Sequence, residues 1–155
     1  LWISIARDEL KQPLGKVTGL VLNYEEAEMY AGVRNPVTAG LKMLEDGPEF
    51  VVIKKGEHGA ILVHREGLAA LPAYPTETVV DPTGAGDSFA GGFLGYIAKQ
   101  GNTEPDTLRR AVIYGSTLAS FCVEGIGLER LLSVSDEEIA ARVEKFRRLV
   151  EFAAS

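Results

Sequence analysis

The chain has one cysteine, Cys122, so no disulfide can form within it, and no cysteine spacing of the zinc-site kind is present. It has two histidines, His58 and His64. Neither has a metal-ligating neighbour at useful spacing, and both read as surface residues. Cations are the minority: 16 Lys and Arg stand against 22 Asp and Glu, a formal net charge of −6. That balance, with Trp2 and the tyrosines not interleaved with basic residues, argues against a nucleic-acid surface. No apolar run approaches the roughly 20 residues of a membrane-spanning helix, so no membrane partner is expected. The opening "LWISIARDELKQ" has no charged leader region and no cleavage site, so it is not expected to be a signal peptide. Repeats, linkers and low-complexity tracts are also missing. These absences leave a reducing, cytoplasmic setting as the expectation. The chain starts at Leu1 rather than methionine, directly in an amphipathic pattern, which suggests a truncated sequence.

What is present suits a packed core. Hydrophobic residues make up 46% and charged residues 25% of 155 positions, about one domain's worth of chain. Periodicity predicts a helix over residues 4–14, with Ile5, Leu10 and Leu14 on one face and Pro13 marking its end. "GLVLN" (19–23) reads as a short strand, and "YEEAEMYAG" as a helix stopped by Gly32. Asn35 and Pro36 are a cap and a first helical residue for a helix that ends at Gly47. "EFVVIKKG" and "GAILVHREG" form a hairpin between about residues 49 and 65, across Glu57-His58-Gly59. "LAALPAYP" is a weaker extended segment, and Val79 and Val80 end another. Helices follow over 85–99 and 106–123, and Ser135 with Glu138 makes a capping box for a last one. The interleaving predicts a three-layer α/β fold, its sheet mostly parallel and flanked by helices.

The stretch "VVDPTGAGDSFAGGF" (79–93) carries the chemistry. A helix beginning near Gly84 has first-turn N–H groups without internal partners and the positive end of its dipole. Glycines there let a ligand approach the backbone, which makes an anion site. Asp87 repels a phosphate, but beside a phosphate site it can act as a general base, accepting a hydroxyl proton while the amides hold the phosphoryl group. The plainer alternative is that these small residues serve helix packing and Asp87 only complements the dipole. A dinucleotide fingerprint fails because Phe89 stands where Gly or Ala is needed, and a P-loop fails for want of its lysine and spacing.

The string from Asp81 to Phe93 closely resembles the C-terminal signature of the ribokinase-like (PfkB) carbohydrate kinases. Asn23 and Glu26 match the family's upstream N-x-x-E element, "VVIKKGEHGAILV" its strand–Gly–strand segment, and "AVIYGSTLASFCVEGIG" the segment that closes over adenine. The resemblance implies ATP-dependent phosphoryl transfer to a hydroxyl of a sugar or sugar-like substrate. It makes Asp87 the base and the amides of Gly84, Ala85 and Gly86 the anion hole. It places Asn23 and Glu26 near a magnesium–phosphate unit, through water. Gly56 and Gly59 fall at the nucleotide, with Lys54 as a candidate phosphate contact, although relatives often carry a hydroxyl residue there. Asp81 and Thr83 fall where some relatives hold a monovalent cation such as K+.

The resemblance is to the C-terminal, nucleotide-binding and catalytic portion of such a kinase, over nearly all of 1–155. The family's N-terminal half, with its Gly-Gly signature, most of its sugar pocket and the lid through which relatives often form homodimers, has no counterpart in these residues. The expectations are a nucleotide half-site, a sheet with one unpaired edge, and inefficient transfer by this chain alone. The acceptor, sugar or nucleoside, stays open. So does a different class of function, a nucleotide-binding or regulatory module that never turns over, for which Asp87 would have no use.

Overall fold

The computed structural model describes residues 7–151, which fall into two compact units, Leu1–Ala70 and Leu71–Ser155. In the first unit α1 (Arg7–Leu14) precedes β1 (Gly19–Asn23), α2 (Tyr24–Ala31) and α3 (Pro36–Glu45). Next come β2 (Phe50–Lys54), a 3-10 turn (Gly56–His58), β3 (Ala60–His64) and β4 (Gly67–Leu71), whose last residue opens the second unit. The start of the predicted first helix, with Ile5, lies outside the described residues. Pro13 sits inside the last turn of α1, and the helix ends one residue later.

The strands form one sheet in the order β1-β2-β3-β4, so among the described residues β1 is an edge. β1 and β2 are parallel, in a register that puts Asn23 opposite Lys54. β2 and β3 are antiparallel, which is the predicted hairpin. Its turn is tight: Lys55 N donates to Gly59 O at 2.7 Å, and Gly59 takes a positive φ of 86°. The parallel pair needs a crossover, and α2 and α3 supply it. Their apolar faces bury Ala27, Tyr30, Ala31, Ala39, Met43 and Leu44 against Val51, Ile53 and Val63 of the sheet. Val52 and Leu62, paired across the hairpin, are buried on the opposite face.

Local chemistry sets the helix ends. Gly32 closes α2 in the left-handed region, and Asn35 caps α3 by accepting from Val37 N and Thr38 N. The predicted end of α3 at Gly47 comes two residues early, because Asp46 N and Gly47 N tighten onto Met43 O and Leu44 O.

The second unit holds α4 (Ala85–Gln100), α5 (Pro105–Cys122), α6 (Glu129–Ser133) and α7 (Asp136–Val150). Phe89, Gly92 and Phe93 of α4 are buried, as are Leu108, Ala111, Val112 and Gly115 of α5. A Cβ on Gly92 would lie 3.0 Å from Tyr114 O, so this pair of helices approaches closely. Gly91 and Gly95 face open space instead. α7 buries Phe146, whose ring meets Tyr74 edge-on at 5.6 Å. The predicted capping box at Ser135 and Glu138 is present. One sequence expectation is corrected here. The segment before the glycines is irregular rather than extended into a strand, since Val80 N and Asp81 N both turn to one carbonyl, Val123 O. The helix expected over 106–123 is α5, displaced by one residue at each end.

Candidate active site

In the first unit, the C-terminal ends of the parallel strands β1 and β2 open onto a groove of about 670 Å³. Asn23, Tyr24, Glu25, Lys54, Gly56 and His58 are among its lining residues. This is where open α/β sheets take ligands. The structure therefore brings together three residues singled out in sequence: Asn23 and Lys54 by strand register, and Gly56 by the turn that follows. Gly59 does not line the groove. It is buried in the hairpin, and its N–H closes the 3-10 turn onto Gly56 O at 3.1 Å. His58 and Glu57 pair at 3.5 Å on the surface. His64 is half-buried and accepts from Glu66 N at 3.2 Å.

Asn23 and Glu26 are first of all a capping box. Glu26 N donates to Asn23 Oδ1 and Asn23 N donates to Glu26 Oε2, both at 2.8 Å. The box orients both side chains at the start of α2 and leaves Glu26 Oε1 outside it. Among the described residues no cluster of three or more His, Cys, Asp or Glu could cage a metal. The donor set nevertheless fits an ion such as Mg2+, which keeps several waters and takes most other ligands from phosphate.

In the second unit, the loop from Asp81 to Gly84 feeds α4. Asp81 Oδ1 accepts from Thr83 N at 2.9 Å, an Asx turn. The Thr83 amide, and then its hydroxyl, hold the Asp81 carboxyl below its ordinary value. Gly84 is the N-cap, with φ 83°, a conformation that a side chain opposes. Its carbonyl accepts from Ser88 N and Ser88 Oγ, both at 2.9 Å. Its N–H has no acceptor among the described residues, whereas Ala85 N–H turns back to Pro82 O at 3.2 Å. Asp87 lies in the first turn of α4, exposed, without a hydrogen bond or ion pair among the described residues. Its carboxylate holds nothing in the fold, and so is available to an incoming group.

The residues expected to hold a monovalent cation are engaged within the protein. Asp81 caps Thr83, and Thr83 O accepts from the Cys122 thiol at 3.5 Å. Sequence reasoning missed Thr76 and Arg142, which both engage Glu124. Partners 48 and 18 residues from Glu124 leave no local pattern to read. No helix among the described residues is long and apolar enough to cross a membrane.

The family model for pfkB family carbohydrate kinases matches residues 1–133. A cytidine kinase of Thermococcus kodakarensis is 41% identical over 90 residues, 57% of this chain and 32% of that enzyme. The crystal structure of aminoimidazole riboside kinase from Salmonella enterica, complexed with aminoimidazole riboside and an ATP analog, superposes with a TM-score of 0.77 at 22% identity. It covers 88% of this chain and 46% of that one. The nucleoside kinase of Methanocaldococcus jannaschii, an archaeal member of the ribokinase family, gives a TM-score of 0.73 at 26% identity, over 90% of this chain and 44% of that one. The chain thus spans less than half the length of these relatives, and the three-layer α/β class read from the sequence is the fold it shares with them.

Proposed function

Because the chain belongs to the pfkB family of carbohydrate kinases, we propose that it is the nucleotide-binding and catalytic portion of an enzyme that transfers the γ-phosphoryl group of ATP to a hydroxyl of a sugar, free or carried by a nucleoside. One observation carries the reading. An unpartnered, exposed carboxylate, Asp87, stands in the first turn of a helix that a left-handed Gly84 opens. Glycine and a free amide suit an oxyanion, and a carboxylate beside it suits a proton acceptor.

The chemistry follows from those positions. Asp87 accepts the acceptor's hydroxyl proton as that oxygen bonds to the γ-phosphorus. The bond to the bridging oxygen of ADP breaks, and the N–H groups at the start of α4 meet the charge on the phosphoryl oxygens. The groove of the first unit, lined by Lys54 and Gly56, suits a nucleotide. Glu26 and Asn23 would hold a hydrated Mg2+, which when bound neutralises phosphate charge. No step is routed through a monovalent cation. A nucleoside acceptor is favoured by the named relatives, kinases of cytidine, aminoimidazole riboside and nucleosides. A reducing, cytoplasmic compartment suits the lone buried thiol of Cys122.

Calorimetric titration with Mg-ATP, on the chain and on Asp87→Asn, tests the reading, together with ATP turnover over sugars and nucleosides. Binding by both chains, with turnover by the unsubstituted chain only, is the expected result for an active portion. Binding by both with turnover by neither leaves the nucleotide-binding module. Absence of binding in a folded chain overturns both readings.

A further inference from the structure

The loop that presents Gly84 is held from one place. Three consecutive residues at the end of α5 each grip it. The Cys122 thiol donates to Thr83 O at 3.5 Å. Val123 O accepts from Val80 N at 2.7 Å and from Asp81 N at 3.3 Å. Glu124 Oε1 accepts from Thr76 Oγ1 at 3.1 Å. The Thr76 hydroxyl also lies 3.2 Å from Thr78 O, but it has one proton, and a carboxylate is the stronger acceptor.

Glu124 is itself set in place. Arg142 of α7 engages both its oxygens, Nη1 with Oε1 at 2.8 Å and Nη2 with Oε2 at 3.1 Å. Such a fork fixes the carboxylate's plane as well as its position. Arg142 is fixed in turn: Nη1 donates to Ser120 Oγ at 3.0 Å, and the guanidinium lies 3.5 Å from the Phe121 ring centroid. The two side chains are only 17% and 19% exposed, so water competes weakly for the pair. Arg142 lies beyond residue 133, where the family match ends.

We propose that Glu124, set by Arg142, is a positioning residue for the 76–84 loop, and through it for the amides at the start of α4. This rests on reading Gly84, Ala85 and Gly86 as the phosphoryl cradle. The pair does more than bolt α7 to α5: one carboxylate oxygen of Glu124 faces the loop and accepts from it. Anchored at Thr76, Val80, Asp81 and Thr83, the loop enters Gly84 in one conformation, which fixes the direction of the Gly84 N–H.

The test leaves the Arg142–Glu124 pair intact. Thr76→Val removes only the hydroxyl, and Thr76→Ser restores it. Hydrogen–deuterium exchange of the Val80 and Asp81 amides is followed in the full chain, with thermal unfolding and Mg-ATP titration alongside. In Thr76→Val we expect exchange about tenfold faster at these amides, a melting temperature within a degree or two of the unsubstituted chain, and Mg-ATP binding weakened about threefold or more. Thr76→Ser should return all three. Unchanged exchange in Thr76→Val overturns the proposal, and so does faster exchange with unchanged affinity in a chain that binds Mg-ATP. Failure of the unsubstituted chain to bind Mg-ATP defeats the kinase reading separately, and exchange alone then decides whether Glu124 positions the loop.

Discussion

The thiol of Cys122 donates to the carbonyl of Thr83, and the same sulfur lies 3.6 Å from where a Cβ would stand on Gly84. The end of α5 therefore backs directly onto the residue that opens α4. That contact distance is an ordinary one, so space does not exclude a side chain at position 84. The backbone does, through its φ of 83°.

Gly84→Ala should accordingly cost about 1 kcal/mol, from the left-handed conformation rather than from a clash. Chemical denaturation measures that loss. If the loop relaxes to escape the strain, Mg-ATP affinity falls by more than the stability change accounts for.

Asp87→Asn should leave folding and Mg-ATP binding unchanged, since the carboxylate has no partner among the described residues. Turnover should fall by about a hundredfold or more, the usual loss with a general base. Parallel unfolding and turnover measurements separate the two effects.

Glu26→Gln separates the cap from the proposed metal role. Glutamine can still accept from Asn23 N, so stability should hold. The magnesium concentration needed for half-maximal nucleotide binding should rise. Asn23→Ala, which removes the acceptor for Glu26 N, should instead cost about 1 kcal/mol.

Position 115 distinguishes packing glycines from idle ones. A Cβ there would lie 2.7 Å from Phe89 O, a backbone atom that yields only if α4 moves. Gly115→Ala should destabilise by about 1–3 kcal/mol. Gly95→Ala, in open space on the same helix pair, should be neutral or stabilising by up to about 1 kcal/mol. Urea unfolding of the two variants checks the contrast.

The Asp81 turn has a defined pH dependence. Thr83 holds the folded carboxyl below its ordinary value, so the turn's contribution is fully present above the unfolded value. It is lost as pH falls through the lower, folded value. Amide exchange at Thr83, followed over that acid range, should rise in step with Asp81 protonation and stay flat in Asp81→Asn.

Short-range chemistry was legible in the sequence. Asn35 before Pro36, Ser135 three residues before Glu138 and Gly32 after an amphipathic run each place a helix end, because caps are decided by side chains within a few residues of the groups they satisfy. The hairpin over 49–65 and the helix opened by Gly84 were legible for the same reason. Tertiary structure alone decided three things. Strand register set Asn23 opposite Lys54, because a parallel pairing joins segments that a crossover separates. Val80 turned to Val123 O rather than continuing a strand, because a carbonyl 43 positions away took its N–H. Arg142 was set on Glu124, and Glu124 on Thr76, because charge and hydroxyl met only when α7 packed on the end of α5. The sequence determined which residues are candidates for the proposed chemistry, and long-range packing determined which partners the loop before them meets.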